Sequence, residues 1–152
     1  MAATITYRDA TPHDAPAIAA ANAAMARETE QRELDRTTLL AGVSALLKDA
    51  GRGRYWVAES DGQVVGQIMA TWEWSDWRNG FFWWIQSVYV APEARRQGVF
   101  TTLYKIVEDA ARQSGNACGL RLYVEHHNQG ARETYTALGM ADAGYQLLET
   151  QF

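Results

Sequence analysis

Residues 85–104 read IQSVYVAPEARRQGVFTTLY, and the way this stretch changes character decides the fold. Ile85 to Val90 is β-branched and aromatic, the composition of a strand. Pro92 ends it, because proline cannot donate to a ladder. Two adjacent arginines, a glutamine and Gly98 follow. Val99, Leu103, Ile106, Val107 and Ala110 then recur at helical spacing, and Gly115 lies beyond as a stop. A helix N-terminus presents N–H groups outside the ladder and the positive end of the dipole, so this junction suits an anion. Arg95 and Arg96 add permanent, bidentate charge, and Gly98 lets the backbone turn and approach a ligand closely. Taken alone, RRQGVF describes a surface turn with solvated arginines equally well. Other phosphate motifs do not compete: G-x-x-x-x-G-K-[ST] does not occur, and Gly51-x-Gly53 precedes a strand instead of following one.

Working outward, Thr4 to Tyr7 predicts a first strand, and Thr11 with Pro12 opens an alanine-rich helix to about Glu28. A second helix is expected over Asp35 to Lys48, with Leu39, Leu40, Val43, Leu46 and Leu47 on one face. Tyr55 to Ser60, Val64 to Trp74 and Phe81 to Val90 read as strands, joined by Asp61-Gly62 and by Asn79-Gly80, a two-residue hairpin signal. They form an antiparallel meander. Leu120 to Val124 predicts a further strand, Asn128 caps a short helix to about Ala137, and Tyr145 to Glu149 reads as a final strand. The order β-α-α-β-β-β-α-β-α-β is that of an α/β sandwich with a mixed sheet.

The chain has 152 residues, 47% hydrophobic and 21% charged, without a repeat or linker, so residues 1–152 are read as one domain. Its formal net charge of -4 disfavours nucleic acid or an anionic membrane as a partner, so any anion site must be built locally. Cys118 is the sole cysteine, which excludes an intrachain disulfide and is compatible with a reducing compartment. The N-terminal stretch lacks a signal-peptide pattern, and FFWWI at 81–85 is far too short to span a membrane, so the expected location is cytoplasmic. His126-His127 does not make a metal site, because strand neighbours diverge and no cysteine or acidic cluster completes it. No metal is expected.

Four pieces then fall into a familiar order: VYV at 88–90, RRQGVF at 95–100, LYV at 122–124 and NQGARETYTALGM at 128–140. Together they resemble the GNAT superfamily of acyl-CoA-dependent N-acetyltransferases. The motifs cover about residues 85–140, and the element order resembles that fold across nearly the whole chain. The resemblance implies a mixed central sheet, an antiparallel meander plus a parallel pair, flanked by helices. It implies acetyl-CoA as co-substrate and an amine as acceptor, a small molecule or a protein amine. By the same resemblance, the backbone of Val88, Tyr89 and Val90 would pair with the pantetheine arm. The amides of Arg95, Arg96, Gln97, Gly98, Val99, Phe100 and Thr101 would hold the pyrophosphate. Asn128 and Tyr135 would sit near the thioester, Tyr135 as proton donor to the departing thiolate. Phe100 departs from the family, which usually has Gly or Ala there. The backbone amide survives the change, so phosphate binding can stand, while the larger side chain bears on local packing and on the approach of the coenzyme.

Acetylating an amine requires its neutral form. A lysine-like amine of pKa about 10.4 needs roughly 4–5 kcal/mol to lose its proton at pH 7, so the site must offer a base or a water path to one. The leaving thiol, of reference pKa about 8.5, needs only modest help, which a tyrosine hydroxyl suits. Glu73, in TWEWSDW, leads as base because it lies on a strand among aromatics; Glu28 and Glu30 are the other carboxylates considered. Tyr135 also shares a face with Ala131 and Leu138, which is the ordinary packing alternative, and Asn128 serves as a helix cap alongside its other role. Trp72, Trp74, Trp83 and Trp84 are read as core or interface. Adjacent Trp83 and Trp84 face opposite sides, which leaves a homodimer surface open. Cys118 is read as a buried or idle thiol. The other class of function compatible with these residues is a non-catalytic acyl-CoA-binding sensor.

Overall fold

Strands rich in β-branched and aromatic residues carry the chain through its central sheet. The computed structural model describes residues 3–152. Its strands are β1 (Ile5–Asp9), β2 (Arg54–Ser60), β3 (Gln63–Ser75), β4 (Gly80–Val90) and β5 (Ala117–Leu122), in the spatial order β1-β2-β3-β4-β5. Neighbours from β1 to β4 are antiparallel, and β4 pairs with β5 in parallel. The expected meander plus parallel pair is therefore the observed sheet, with β1 antiparallel at its edge. The helices are α1 (Ala15–Glu30), α2 (Arg36–Leu47), α3 (Val99–Gln113) and α4 (Gln129–Ala137).

Two consecutive residues of β3 show how the layers form. Gln67 bonds Asn22 of α1, whereas a β-carbon on Gly66 would meet Val99 of α3 at 3.2 Å. Adjacent strand residues face opposite sides, so α1 and α3 cover opposite faces of the sheet. On the α1 side Ala15, Ile18, Ala19, Val43, Leu46, Tyr55 and Val57 form one cluster, joined by α2. On the other side Val99, Leu103, Tyr104, Val107 and Ala111 of α3 are buried, spaced so that one helical face carries them all. The expected α2 face holds at Val43 and Leu46, while Leu40 is exposed.

The chain divides into two compact units, one reaching to Leu122 and one over Tyr123–Phe152. The second contains α4, capped by Asn128, whose Oδ1 accepts from the Ala131 amide at 3.1 Å. A capped start and Gly139 at φ 97 after the last turn make this short helix legible from its ends.

Three expectations need correction. Asn79-Gly80 is not a two-residue turn. Ser75 pairs with Gly80 across a four-residue loop, 76–79, and Asn79 alone in that loop has positive φ. A type I′ turn needs two such residues. Gly80 serves a close approach instead: a β-carbon there would lie 2.9 Å from the Asn116 carbonyl, and the neighbouring Phe81 amide donates to that same oxygen. The strand expected at Leu120–Val124 spans Ala117–Leu122, because pairing with Phe81–Ile85 recruits the earlier residues despite their weak strand composition. Finally, no strand forms at Tyr145–Glu149. A strand exists only where its backbone pairs with a neighbour. There the Gly144 amide instead bonds the Asp142 side chain in a local turn.

Candidate functional site

The end of β4 is where the sheet changes register. Met69 pairs with Ser87 but Ala70 pairs with Ile85, so Gln86 is an extra, bulged residue. The parallel ladder with β5 stops at Ile85↔Leu122, while β4 runs on to Val90. Over this last stretch Ser87, Val88, Tyr89 and Val90 pair with β3. Their other edge faces away from β3, and an extended chain rich in amides can add to it as a strand would.

Pro92–Ala94 forms a single tight turn, and the chain then passes through two left-handed residues, Arg96 at φ 63 and Gly98 at φ 76. Gly98 precedes α3, and a β-carbon there would meet nothing within 4 Å. Thr102 makes the first bond of the helical ladder, its amide donating to the Gly98 carbonyl at 3.0 Å. The amides before Thr102 therefore lie at the positive end of α3, ahead of its ladder. Val99 is buried and pins this turn to the sheet, and Phe100 is half-buried beside it. Thr101 and Gln97 are exposed, Gln97 donating to the Glu93 carbonyl. Open space, backbone donors and a helix dipole together fit a phosphate group.

The two arginines part company here. Arg95 is tied into the protein: its Nε donates to the Val90 carbonyl at 2.9 Å and its guanidinium meets Glu28 at 2.7 Å, 5.6 Å over the Tyr89 ring. The Tyr89 hydroxyl donates to the other oxygen of Glu28 at 2.9 Å. Arg95 holds the Glu28 carboxyl below the usual carboxylate range, helped by Tyr89, while partial burial and then Glu28 push the Tyr89 phenol up. Arg95 thus clamps the turn to α1 and β4. Arg96 is exposed and, among the described residues, makes no ion pair, which leaves its guanidinium for an anion.

Beneath the end of β4 lies a polar cluster that sequence reasoning missed. Gln67 Nε2 donates to Asn22 Oδ1 at 2.9 Å and to Ser87 Oγ at 2.8 Å, and Ser87 Oγ donates to Asn22 Oδ1 at 2.8 Å. All three side chains are buried, and Gln67 Oε1 has no partner among the described residues. The available signal was a lone glutamine in VVGQIMA and a lone asparagine in an alanine-rich helix.

Glu73 sits differently from its expectation. Its Oε1 accepts from Arg121 at 2.7 Å, and that guanidinium lies 3.6 Å over the Phe82 ring. An amine would have to compete with Arg121 for this carboxylate. Glu73 is also five residues along β3 from Ile68, the partner of Val88, about 17 Å at strand spacing. Glu30 is exposed at the end of α1. In the second unit Asn128 opens α4, and Tyr135, half-buried, lies two turns further on, its carbonyl accepting from Met140 at 3.0 Å.

Trp83 is buried against Trp72 at 4.5 Å and Trp56 at 6.4 Å, while Trp74 is exposed at the hairpin end. Trp72, Phe81, Trp83 and Asn116 line a shallow cavity of about 190 Å³. Cys118 is exposed, not buried. Among the described residues no three His, Cys, Asp or Glu side chains come together as a metal site, and no helix is long and apolar enough to cross a membrane.

The family model for the acetyltransferase (GNAT) family matches residues 17–140. The chain belongs to that family. This GNAT-family chain is 45% identical, with a TM-score of 0.91 over 97% of both chains, to a crystal structure described as a possible acetyltransferase from Clostridium difficile 630. An uncharacterized N-acetyltransferase of Methanocaldococcus jannaschii is 36% identical over 88 residues, 58% of this chain and 53% of that protein. The thialysine N-epsilon-acetyltransferase of Bos taurus is 35% identical over 79 residues, 52% of this chain and 45% of that protein. The chain spans about half the length of the curated relatives it matches.

Proposed function

We propose that this GNAT-family chain transfers an acetyl group from acetyl-CoA to a primary amine. The observation that carries the proposal is the end of β4, paired on one side, running directly into the Arg96–Gly98 turn and the N-terminus of α3. That order supplies a strand edge for an amide-bearing arm and, next to it, donors for a pyrophosphate.

Acetyl-CoA supplies the activated acetyl group as a thioester. Val88, Tyr89 and Val90 are assigned to the arm through their backbone. The amides of Arg95 to Thr101 are assigned to the pyrophosphate, with the Arg96 side chain as counter-charge. Asn128 is assigned to the acyl end, and Tyr135 gives its phenolic proton to the sulfur as the C–S bond breaks and the C–N bond forms. The proton lost by the amine goes to a carboxylate. Glu73 takes that role only by exchanging Arg121 for the amine or for a water between them. Glu28 is the second carboxylate, held ionised by Arg95 beside β4. The family match at 17–140 extends over both compact units, which supports one N-acetyltransferase domain over the whole chain. A cytoplasmic setting agrees with the exposed, unpaired Cys118.

The test is release of free thiol from acetyl-CoA against a panel of amines, headed by lysine-like side chains because the bovine relative's name specifies thialysine. We expect at least one amine to raise thiol release well above hydrolysis. Tight CoA binding with no amine-dependent release across polyamines, amino acids and peptide N-termini would replace the transferase with a coenzyme sensor.

A further inference from the structure

The bulge in β4 is held to β3 by side chains as well as by the ladder. Gln86, the extra residue, donates from Nε2 to Thr71 Oγ1 at 2.6 Å. Ser87, the next residue, accepts from Gln67 of β3 and donates to Asn22 of α1, each at 2.8 Å. Asn22 in turn donates from Nδ2 to the Tyr55 hydroxyl of β2 at 3.5 Å. Through one hydroxyl, Ser87 is therefore fixed to β3 and α1, and through Asn22 to β2.

Stability does not account for this cluster. Asn22, Gln67 and Ser87 are buried, and Gln67 Oε1 has no partner among the described residues. A buried acceptor without a donor costs stability, and apolar groups of the same shape avoid that cost. What the cluster supplies is placement. A bulge leaves one residue outside the ladder, so backbone pairing fixes the strand less tightly there. At the same point the parallel ladder with β5 has ended, at Ile85↔Leu122. Side-chain bonds to Gln86 and Ser87 thus fasten β4 where its backbone bonds are fewest. Val88 follows directly, and of the residues assigned to the coenzyme arm it lies farthest from the Arg96–Gly98 turn. It therefore meets the thioester end.

We propose that Asn22, Gln67 and Ser87 are positioning residues for acetyl transfer. Their bonds set the path of β4 at Ser87, and with it the placement of the Val88 backbone against the reacting end of acetyl-CoA. The assignment rests on the acetyl-transfer reading above. Transfer rates respond steeply to small displacements of the reacting atoms. Coenzyme affinity responds less, because the pyrophosphate is assigned to a different segment, the turn before α3.

Ser87→Ala removes only the hydroxyl, and Gln67→Met keeps the chain length while removing both amide bonds. With acetyl-CoA and the fastest amine of the panel, single-turnover transfer should fall about tenfold in each. CoA affinity by calorimetric titration should hardly change. Val43→Ala, a buried change on α2 outside the cluster, lowers stability as a control and should transfer at the wild-type rate. Ser87→Ala is the smallest change and decides the matter if Gln67→Met does not fold. A wild-type rate in either folded variant overturns the proposal, as does an equal loss in Val43→Ala or a CoA affinity that falls in step with the rate. If the wild-type protein acetylates no amine, acetyl transfer itself fails and this assignment falls with it.

Discussion

Gly98 combines left-handed backbone with open space where a β-carbon would stand, so its importance is conformational and its surroundings are free to receive a ligand. Gly98→Val forces a β-branched residue to φ 76, a strain of about 1–2 kcal/mol that this 152-residue chain should tolerate. The added methyls would stand where a phosphate approaches. We expect a cooperative melt and a loss of CoA affinity of about tenfold or more, which is about 1.4 kcal/mol; calorimetric titration showing wild-type affinity would remove this role from Gly98. Tyr135→Phe asks a different question, because it deletes only the hydroxyl and keeps the ring. If the phenol protonates the departing thiolate, single-turnover acetylation should fall about ten- to a hundredfold, less than many acid steps because the thiol is already a fair leaving group. CoA affinity should hardly change. A wild-type single-turnover rate would return Tyr135 to packing.

At the scale of elements, the entry to α1 is fastened by charge. Arg8 of β1 donates to both oxygens of Asp14, at 2.8 and 3.0 Å, and to Glu59 of β2 at 2.7 Å, while the Thr11 amide donates to Asp14 at 2.7 Å. The bond from Arg8 holds the Asp14 carboxyl below its ordinary value against the opposing effect of burial. Folded Asp14 therefore binds its proton less readily than the unfolded chain does. The stability this supplies is fully present above about pH 4 and is lost as pH falls through the lowered folded value. Arg8 is partly exposed, which reduces the gain. We expect Asp14→Asn to cost about 1–2 kcal/mol at pH 7 and less at pH 3, read from urea midpoints at both pH values. An equal gap at the two would mean that Asp14 acts through shape alone. The junction between β4 and α3 is fastened in the same manner, with Arg95 joining Glu28, Tyr89 and the Val90 carbonyl. The arginine pair was visible in sequence. That Arg95 is tied into the protein while Arg96 makes no ion pair among the described residues was not, because the choice depends on Glu28, 67 residues from Arg95.

For the whole molecule, CoA should bind the folded chain and not the unfolded one. At a hundred times its Kd it should add about 2.7 kcal/mol of stability and raise Tm by about 5–10 °C; a melt unchanged by millimolar CoA would withdraw the coenzyme proposal. The family and the mixed sheet were legible in the sequence because both rest on local patterns. β-Branched and aromatic composition marks the strands, helical spacing marks α3, and the Arg-Arg-Gln-Gly turn and Asn128 cap mark helix starts. The missed features all need partners distant in the chain. The Asn22–Gln67–Ser87 cluster joins α1, β3 and β4. The bond from Arg121 to Glu73 redirects a carboxylate that looked available, and Asn116 explains why residue 80 is glycine. Tyr145–Glu149 has strand composition and no strand. The sequence by itself determined which segments prefer to be strands or helices and which turn leads into a helix start, since these follow from each residue and its near neighbours. Only the tertiary structure decided which polar groups are occupied and which strands are paired, because a hydrogen bond needs both of its ends.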